Sequence, residues 1–433
     1  MVGAADRART QRADRSLLIG IVAFGAVLRL AMLASRWGDP LELNDSIYYS
    51  IQAAQNADGN WFAEPLSRTP GAEHPPLTVL AITPASLLPS PVFWQRATTT
   101  LFGIAAVALI ALLGTRLGGR RVGVVAAAIA AVYPNLWLSD GLVMSESIAV
   151  ALVTVVMIAA LWHGERFTPA SAALCGAALG LAALARSELL LLVPLLAVVG
   201  LGTQDRRRWL GRAAVLAGAA ALVVMPWLVW TSIRLDAPVL MSTNSGMTLL
   251  GANCPPTYYG DSIGGWELEC VFGSDELRGH LGETAVERSN RGRAEAVAYV
   301  RQHPERVPLV VAARVLRAAD LYGLTSSVRG DVGEERMEWG VWAGVAAWWV
   351  LAPMAAIGLY RMSRGDRWVL ATPVICVAVV TVVFYGSHRL RAPMEPVVAV
   401  AAATFLVGAY ESTWWTKGAG RSGIAGVDRD HPR

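Results

Sequence analysis

Five short segments of this chain carry side chains suited to moving a proton and holding an anion. Asp45 lies in Leu41-Glu42-Leu43-Asn44-Asp45-Ser46-Ile47-Tyr48-Tyr49. A carboxylate there can serve as a general base when a nearby cation keeps it ionised. It can equally be the N-cap of a short amphipathic helix with Ile47, Ile51 and Ala54 on one side. His74, in Glu73-His74-Pro75-Pro76-Leu77, can donate to a substrate, bind a metal, or be an ordinary loop histidine. Glu146, in Met144-Ser145-Glu146-Ser147, is either a site residue or a first-turn acid favoured by the helix dipole. Arg186 and Glu188 flank Ser187 and can pair with each other. Arg389 and Arg391, in Ser387-His388-Arg389-Leu390-Arg391, can clamp a phosphate or snorkel to lipid headgroups.

The elements that position these residues are membrane helices. Of the 433 residues, 54% are hydrophobic and 16% charged, against about 25% charged in soluble domains. The apolar residues fall in runs such as Leu17–Ala34, Thr98–Gly114, Ala213–Trp230, Trp339–Tyr360 and Val369–Tyr385, each long enough to cross a bilayer. The expected fold is an all-α polytopic bundle of about ten transmembrane helices, roughly nine to twelve.

Basic short loops orient such helices, with positive charge in the cytoplasm. Arg7, Arg9, Arg12 and Arg15 put the N-terminus (1–16) inside, followed by a retained first helix at 17–34. The external loop 35–92 holds Asp45 and His74. Between Pro75 and Pro89 the stretch is too short to span, so it reads as re-entrant or interfacial. Helices at 96–115 and 122–138 flank inner Arg116, Arg120 and Arg121. A helix at 146–163 follows, and 170–202 breaks at Arg186-Ser187-Glu188. The first membrane module thus covers 17–230. Residues 231–338 form an external segment, 339–410 hold the last spans, and 411–433 form a cytoplasmic tail whose Gly-rich end (418–433) reads as disordered. Residues 305–324 contain Arg314, Arg317 and Asp320. They read as a surface helix, because a span there would put the acidic stretch 331–338 inside. Arg29, five residues or about 8 Å from the outer end of its helix, either snorkels or faces a cavity.

Cys254 and Cys270 lie in the external segment, the one long polar stretch, and read as a disulfide, as expected of an oxidising compartment. Cys175 and Cys376 lie in apolar runs. The net charge of +4 is spread over helix ends, which argues against nucleic-acid binding. A divalent metal held by Asp45, His74 or Glu146 stays open, since no motif fixes one.

In this order the pieces resemble the GT-C superfamily of membrane glycosyltransferases, in its branch of protein mannosyltransferases and lipid A aminoarabinose transferases. The resemblance covers about residues 17–410. It rests on Asn44-Asp45 with Tyr48-Tyr49, His74-Pro75-Pro76-Leu77, Arg96, Ser145-Glu146, Leu184-Ala185-Arg186-Ser187-Glu188, Pro226-Trp227, Ser242-Thr243-Asn244-Ser245-Gly246 with Gly251-Ala252-Asn253, and Arg389-Leu390-Arg391-Ala392-Pro393 with Glu395-Pro396. Many relatives have two adjacent acids where this chain has Asn44-Asp45. The external segment is also shorter than the soluble domains of some relatives.

The resemblance implies a sugar donor on a polyprenyl phosphate and an acceptor hydroxyl on a glycan, glycolipid or protein. It implies Asp45 as the base of an inverting transfer, and Arg389, Arg391 and Arg96 as donor-phosphate ligands. His74, Glu146, Glu188, Arg186 and Tyr48 would support them. The site would face outward from the plasma membrane of a bacterial-type cell. A transporter or lipid-sugar flippase is the rival reading, because intramembrane charges also suit transport. It leaves the gathering of these groups at one face unexplained, and no inverted repeat supports it.

Overall fold

The computed structural model describes residues 2–42, 44–65, 68–201, 205–272 and 283–419. Among them there are helices and one isolated bridge, Ala63 to Pro70, but no strand. By length and composition seven helices can cross a membrane: Ser16–Ser35, Pro91–Val132, Glu146–Arg166, Arg206–Arg234, Glu338–Arg361, Arg364–Val383 and His388–Tyr410. Backbone polar groups in a bilayer must be satisfied internally, and helices do this. Large apolar side chains such as Leu17, Phe24, Leu222 and Ile233 are exposed on them, as a lipid-facing surface requires. The chain is an integral membrane protein.

The Pro91–Val132 segment folds back on itself. At Gly118 and Gly119 the backbone leaves helical geometry, with φ +76° at Gly119, a conformation that glycine adopts at little cost. A Cβ built on Gly123 would strike Thr115 Oγ1 and the Ala111 carbonyl, and one on Gly114 would lie 3.0 Å from Ala126 Cβ. In a straight helix residues 111 and 123 would be about 18 Å apart. The two arms are therefore antiparallel, and the turn carries Arg120 and Arg121. The second arm stops at Val132, short of the expected 138, because Pro134 opens a separate turn, Pro134–Trp137.

The Pro169–Ala185 helix begins with Thr168 and Ser171 capping each other reciprocally and Pro169 in its first turn. It ends where expected, at an extended Arg186, and short helices Ser187–Leu191 and Leu192–Ala197 follow. Gly176 and Gly180 let it press against Arg206–Arg234. A Cβ at Gly176 would be 2.1 Å from the Leu216 carbonyl. Small residues four apart commonly allow this approach in membranes.

Between the Arg206–Arg234 and Glu338–Arg361 helices, the described residues form shorter helices: Ser245–Gly251, Pro255–Tyr259, Glu269–Phe272, Ala285–Gln302, Val307–Ala318 and Leu324–Gly333. The Val307–Ala318 helix buries Val310, Ala313, Arg314 and Arg317 while Leu309, Val315 and Leu316 stay exposed. Arg314 donates to the carbonyls of Val382 (2.8 Å) and Val383 (3.2 Å), and to Ala252 and Asn253. It thereby satisfies C-terminal carbonyls of a membrane helix and ties the segment to the bundle. Cys254 and Cys270 are disulfide-bonded. Closing a loop of this size should stabilise by about 3 kcal/mol. We expect Cys254→Ser/Cys270→Ser to lower the thermal midpoint measured in detergent by several degrees. An unchanged midpoint would show that the loop is held without the bond.

Two expectations are corrected here. Arg29 neither snorkels nor faces a cavity: it is buried and donates to Asp140 (2.7 Å) and to the carbonyls of Gly25, Ala130 and Ala131. Along Asp45–Ala57, the face turned to the protein carries Tyr48, Tyr49, Gln52, Ala53 and Asn56, whereas Ile47 and Ile51 are half-buried and Ala54 is exposed. The tail beyond residue 419 lies outside the described residues.

Candidate active site

Asn44 caps the Asp45–Ala57 helix, its side chain accepting from the Ser46 amide at 2.7 Å. The cap role once open to Asp45 is thus taken by its neighbour. Asp45 is left in the first turn with its side chain 29% exposed. One oxygen accepts from Arg389 Nη2, and the other lies 3.6 Å from His74 Nε2. Burial alone would raise this carboxyl. Arg389 and His74 together outweigh that and hold it far below the usual carboxylate range.

His74 is fixed by rings. It stacks obliquely on Tyr49 (4.7 Å between centroids) and edge-on to Tyr48 (5.0 Å). The Tyr48 hydroxyl accepts from Gln52 Nε2 (3.0 Å) and the Glu73 amide (3.3 Å). Pro75 and Pro76 then start the helix Pro76–Ile82 at once. Burial lowers His74, but Asp45 and Glu73 more than compensate, so it titrates above the ordinary imidazole value of 6.5. Its paired, charged form therefore adds stability that is complete below pH 6.5 and lost as pH rises through the raised value. We expect the stability gap between wild type and His74→Gln to narrow from pH 6 to pH 9 in denaturation measurements. A gap independent of pH would contradict the pairing.

Glu146 heads the Glu146–Arg166 helix but is fully buried, so it is more than a first-turn acid. It accepts from Arg186 Nη1 at 2.9 Å and from Arg389 Nε. Arg186 also pairs with Glu188 at 2.5 Å. Arg389 is the hub: its Nε, Nη1 and Nη2 go to Glu146, Glu334 and Asp45 respectively. One guanidinium with five donors in a planar fork can do this; an ammonium cannot hold the same geometry. The structure therefore gathers Asp45, His74, Tyr48, Glu146, Arg186, Glu188 and Arg389.

It does not gather Arg96 and Arg391, expected as phosphate ligands. Arg96 is 1% exposed and donates to the carbonyls of Arg36, Asp39 and Pro40 and to Glu335. Arg391 is equally buried. It pairs with Glu395 (2.7 Å) and Asp320 (2.8 Å), and its guanidinium lies 3.9 Å from the centre of the Trp348 ring. Both staple the fold, and their ion pairs go to Glu335, Glu395 and Asp320 rather than to the carboxylates gathered on Arg389. Glu334 was missed by sequence reading, and Tyr49 was quoted in a motif without a role of its own. Glu334 lay in the acidic stretch 331–338, which counted only as charge for topology.

Beside the cluster an apolar groove of about 690 Å³ is lined by Trp61, Phe62, Pro76, Leu184, Trp227 and Trp230, with Arg234 at its rim. Pro76 and Leu184 place it within two residues of His74 and Arg186. Among the described residues no group of three or more His, Cys, Asp or Glu side chains is arranged to hold a metal ion.

Residues 73–230 match the family model for dolichyl-phosphate-mannose-protein mannosyltransferases. The whole chain superposes on the archaeal oligosaccharyltransferase AglB from Archaeoglobus fulgidus, solved with an inhibitory peptide and a dolichol-phosphate. The TM-score is 0.55 at 14% identity, covering 97% of this chain and 53% of that one. The chain has the GT-C superfamily fold. It spans about half the length of AglB. The same archaeal enzyme solved with zinc and sulfate gives a TM-score of 0.54 at 16% identity, over 92% and 50% of the two chains. ArnT from Cupriavidus metallidurans bound to undecaprenyl phosphate is a looser likeness, with a TM-score of 0.45 at 16% identity over 88% and 76%. No curated protein sequence matches the chain.

Proposed function

We propose that this protein is a membrane glycosyltransferase. It moves a sugar from a polyprenyl-phosphate carrier to an acceptor hydroxyl at the external face, inverting the anomeric centre. The observation that carries the reading is the position of Asp45. It is a partly exposed carboxylate, kept ionised by Arg389 and His74, and His74 lies two residues from Pro76, which lines an apolar groove.

The chemistry balances without a general acid. The acceptor oxygen attacks the anomeric carbon as its proton passes to Asp45, and the bond from that carbon to the phosphate oxygen breaks. The electron pair leaves with the lipid phosphate, which is already a stable anion. A charged donor such as Arg389, placed where negative charge develops, lowers the barrier. In the free protein each of its three nitrogens serves a carboxylate. On donor binding the phosphate takes over one of these bonds, and the Asp45 carboxylate, less tightly paired, becomes more basic. The groove takes the first isoprene units, so a donor confined to the bilayer delivers its sugar to the carboxylates. The protein is accordingly oriented with both termini in the cytoplasm and loop 35–92 outside. Glycans, glycolipids and proteins are the acceptor classes that fit an external site.

Sealed vesicles containing the protein and a polyprenyl-phosphate sugar in one leaflet test this against transport. With a membrane extract added as the source of acceptors, the transferase reading expects loss of sugar-loaded carrier, sugar in the acceptor fraction and release of bare polyprenyl phosphate. Intact carrier arriving in the opposite leaflet, with no release, would favour a transporter.

A further inference from the structure

Where many relatives carry two adjacent acids, this chain has Asn44 before Asp45. Asn44 is not idle: its Nδ2 donates to the Gly333 carbonyl at 3.2 Å. That contact is one of four holding residues 333–335 against the first external loop. The Glu42 amide donates to Glu335 Oε1 (3.2 Å), Arg36 to the Glu335 carbonyl (2.6 Å), and Arg96 to Glu335 Oε2 (2.8 Å). Glu335 has a left-handed backbone, φ +65°, an unfavourable state for a residue other than glycine that persists only when the surroundings impose it. The outcome of this clamping is the placement of Glu334. Its Oε1 accepts from Arg389 Nη1 at 3.0 Å, while its Oε2 is buried with no partner. A buried oxygen without a hydrogen bond is costly unless a ligand supplies one.

We propose that Glu334 is the second carboxylate of the site and binds a hydroxyl of the transferred sugar through Oε2. This rests on the glycosyltransferase reading above. Arg389 presents Asp45 on Nη2 and Glu334 on Nη1, so the two carboxylates flank one guanidinium. A sugar whose anomeric carbon faces the Asp45 side thus turns a ring hydroxyl to Glu334. Glu146, the third carboxylate on Arg389, is only 1% exposed, whereas the Glu334 side chain is 26% exposed; its Oε2 is covered in the free protein and meets the hydroxyl once the sugar displaces what lies over it. Burial raises the Glu334 carboxyl against the pull of Arg389 and Arg336; either protonation state can hydrogen-bond a hydroxyl. Glu334 is therefore a sugar-recognition residue, separate from the proton transfer at Asp45.

The test compares affinities in nanodiscs for undecaprenyl-phosphate mannose and bare undecaprenyl phosphate, with galactose- and arabinose-loaded carriers alongside. Wild type should prefer one sugar-loaded carrier by about tenfold, the worth of one good hydrogen bond to a charged group. Glu334→Ala should bring that ratio to about one while keeping the affinity for the bare carrier. If the alanine variant also weakens the bare carrier, Glu334→Met, which keeps the volume and removes both oxygens, decides by the same ratio. A sugar preference retained in both variants overturns the proposal, as does a wild-type ratio of one for every sugar. Wild type that binds no carrier at all would instead sink the transferase reading on which it rests.

Discussion

Asp45→Asn is expected to lower the turnover number for sugar transfer by about 10²–10⁴-fold, the usual contribution of a positioned proton acceptor. The amide keeps the size of the carboxylate and can still accept from Arg389 and face His74, so the fold and carrier affinity should change little. Asn44, which makes the helix cap and the tether to Gly333, is untouched. The expected signature is a loss in turnover with carrier affinity retained, the mark of an interaction needed mainly in the transition state. Steady-state kinetics together with a carrier-binding isotherm read both. A variant with turnover within a few-fold of wild type would remove Asp45 from the chemistry.

Arg389→Met should damage stability and activity together. The substitution leaves Glu146, Glu334 and Asp45 without the cation that joins them. Glu146 keeps Arg186, but the other two lose their guanidinium partner. Breaking a buried charge pair costs on the order of 3 kcal/mol, and the leaving phosphate also loses its positive partner. Arg389→Lys restores the charge without the fork and should recover part of the stability and little of the activity. Thermal midpoints and turnover for the pair of variants decide this. Two fully stable variants would mean that the carboxylates hold their positions without Arg389.

Why Arg389 joins the carboxylate cluster while Arg391 and Arg96 do not is a matter of depth. All three lie at the outer ends of helices, and charge counting along the chain gives them the same weight. Only packing distinguishes them: Trp348, Glu395 and Asp320 close over Arg391, and loop carbonyls wrap Arg96. Asp45, His74, Glu146, Arg186 and Glu188 could be read because each interrupts or borders an apolar run and the basic inner loops assign them all to one face. The break at Arg186 and the turn before Arg120 were visible for the same reason. The inner face of Asp45–Ala57 was not. Apolar periodicity suggested that Ile47, Ile51 and Ala54 pack inward, but this helix turns its polar and aromatic side to the protein, where the site lies. Glu334 was hidden because its role depends on contacts nearly three hundred residues away, from Asn44 and Glu42 to Gly333 and Glu335.

The central claim is that the chain breaks the bond between a sugar and a lipid phosphate. It can be followed at the bond itself. Purified protein in nanodiscs is supplied with polyprenyl phosphates carrying mannose, galactose or arabinose labelled with ¹³C at the anomeric carbon, and with a membrane extract as the source of acceptors. The account predicts that one donor loses its carbon–phosphorus coupling and gives a glycosidic signal of inverted configuration, with no such change in Asp45→Asn. Retained configuration would contradict single-step attack assisted by Asp45. Survival of the coupling in every donor with active wild-type membranes would contradict the transferase itself.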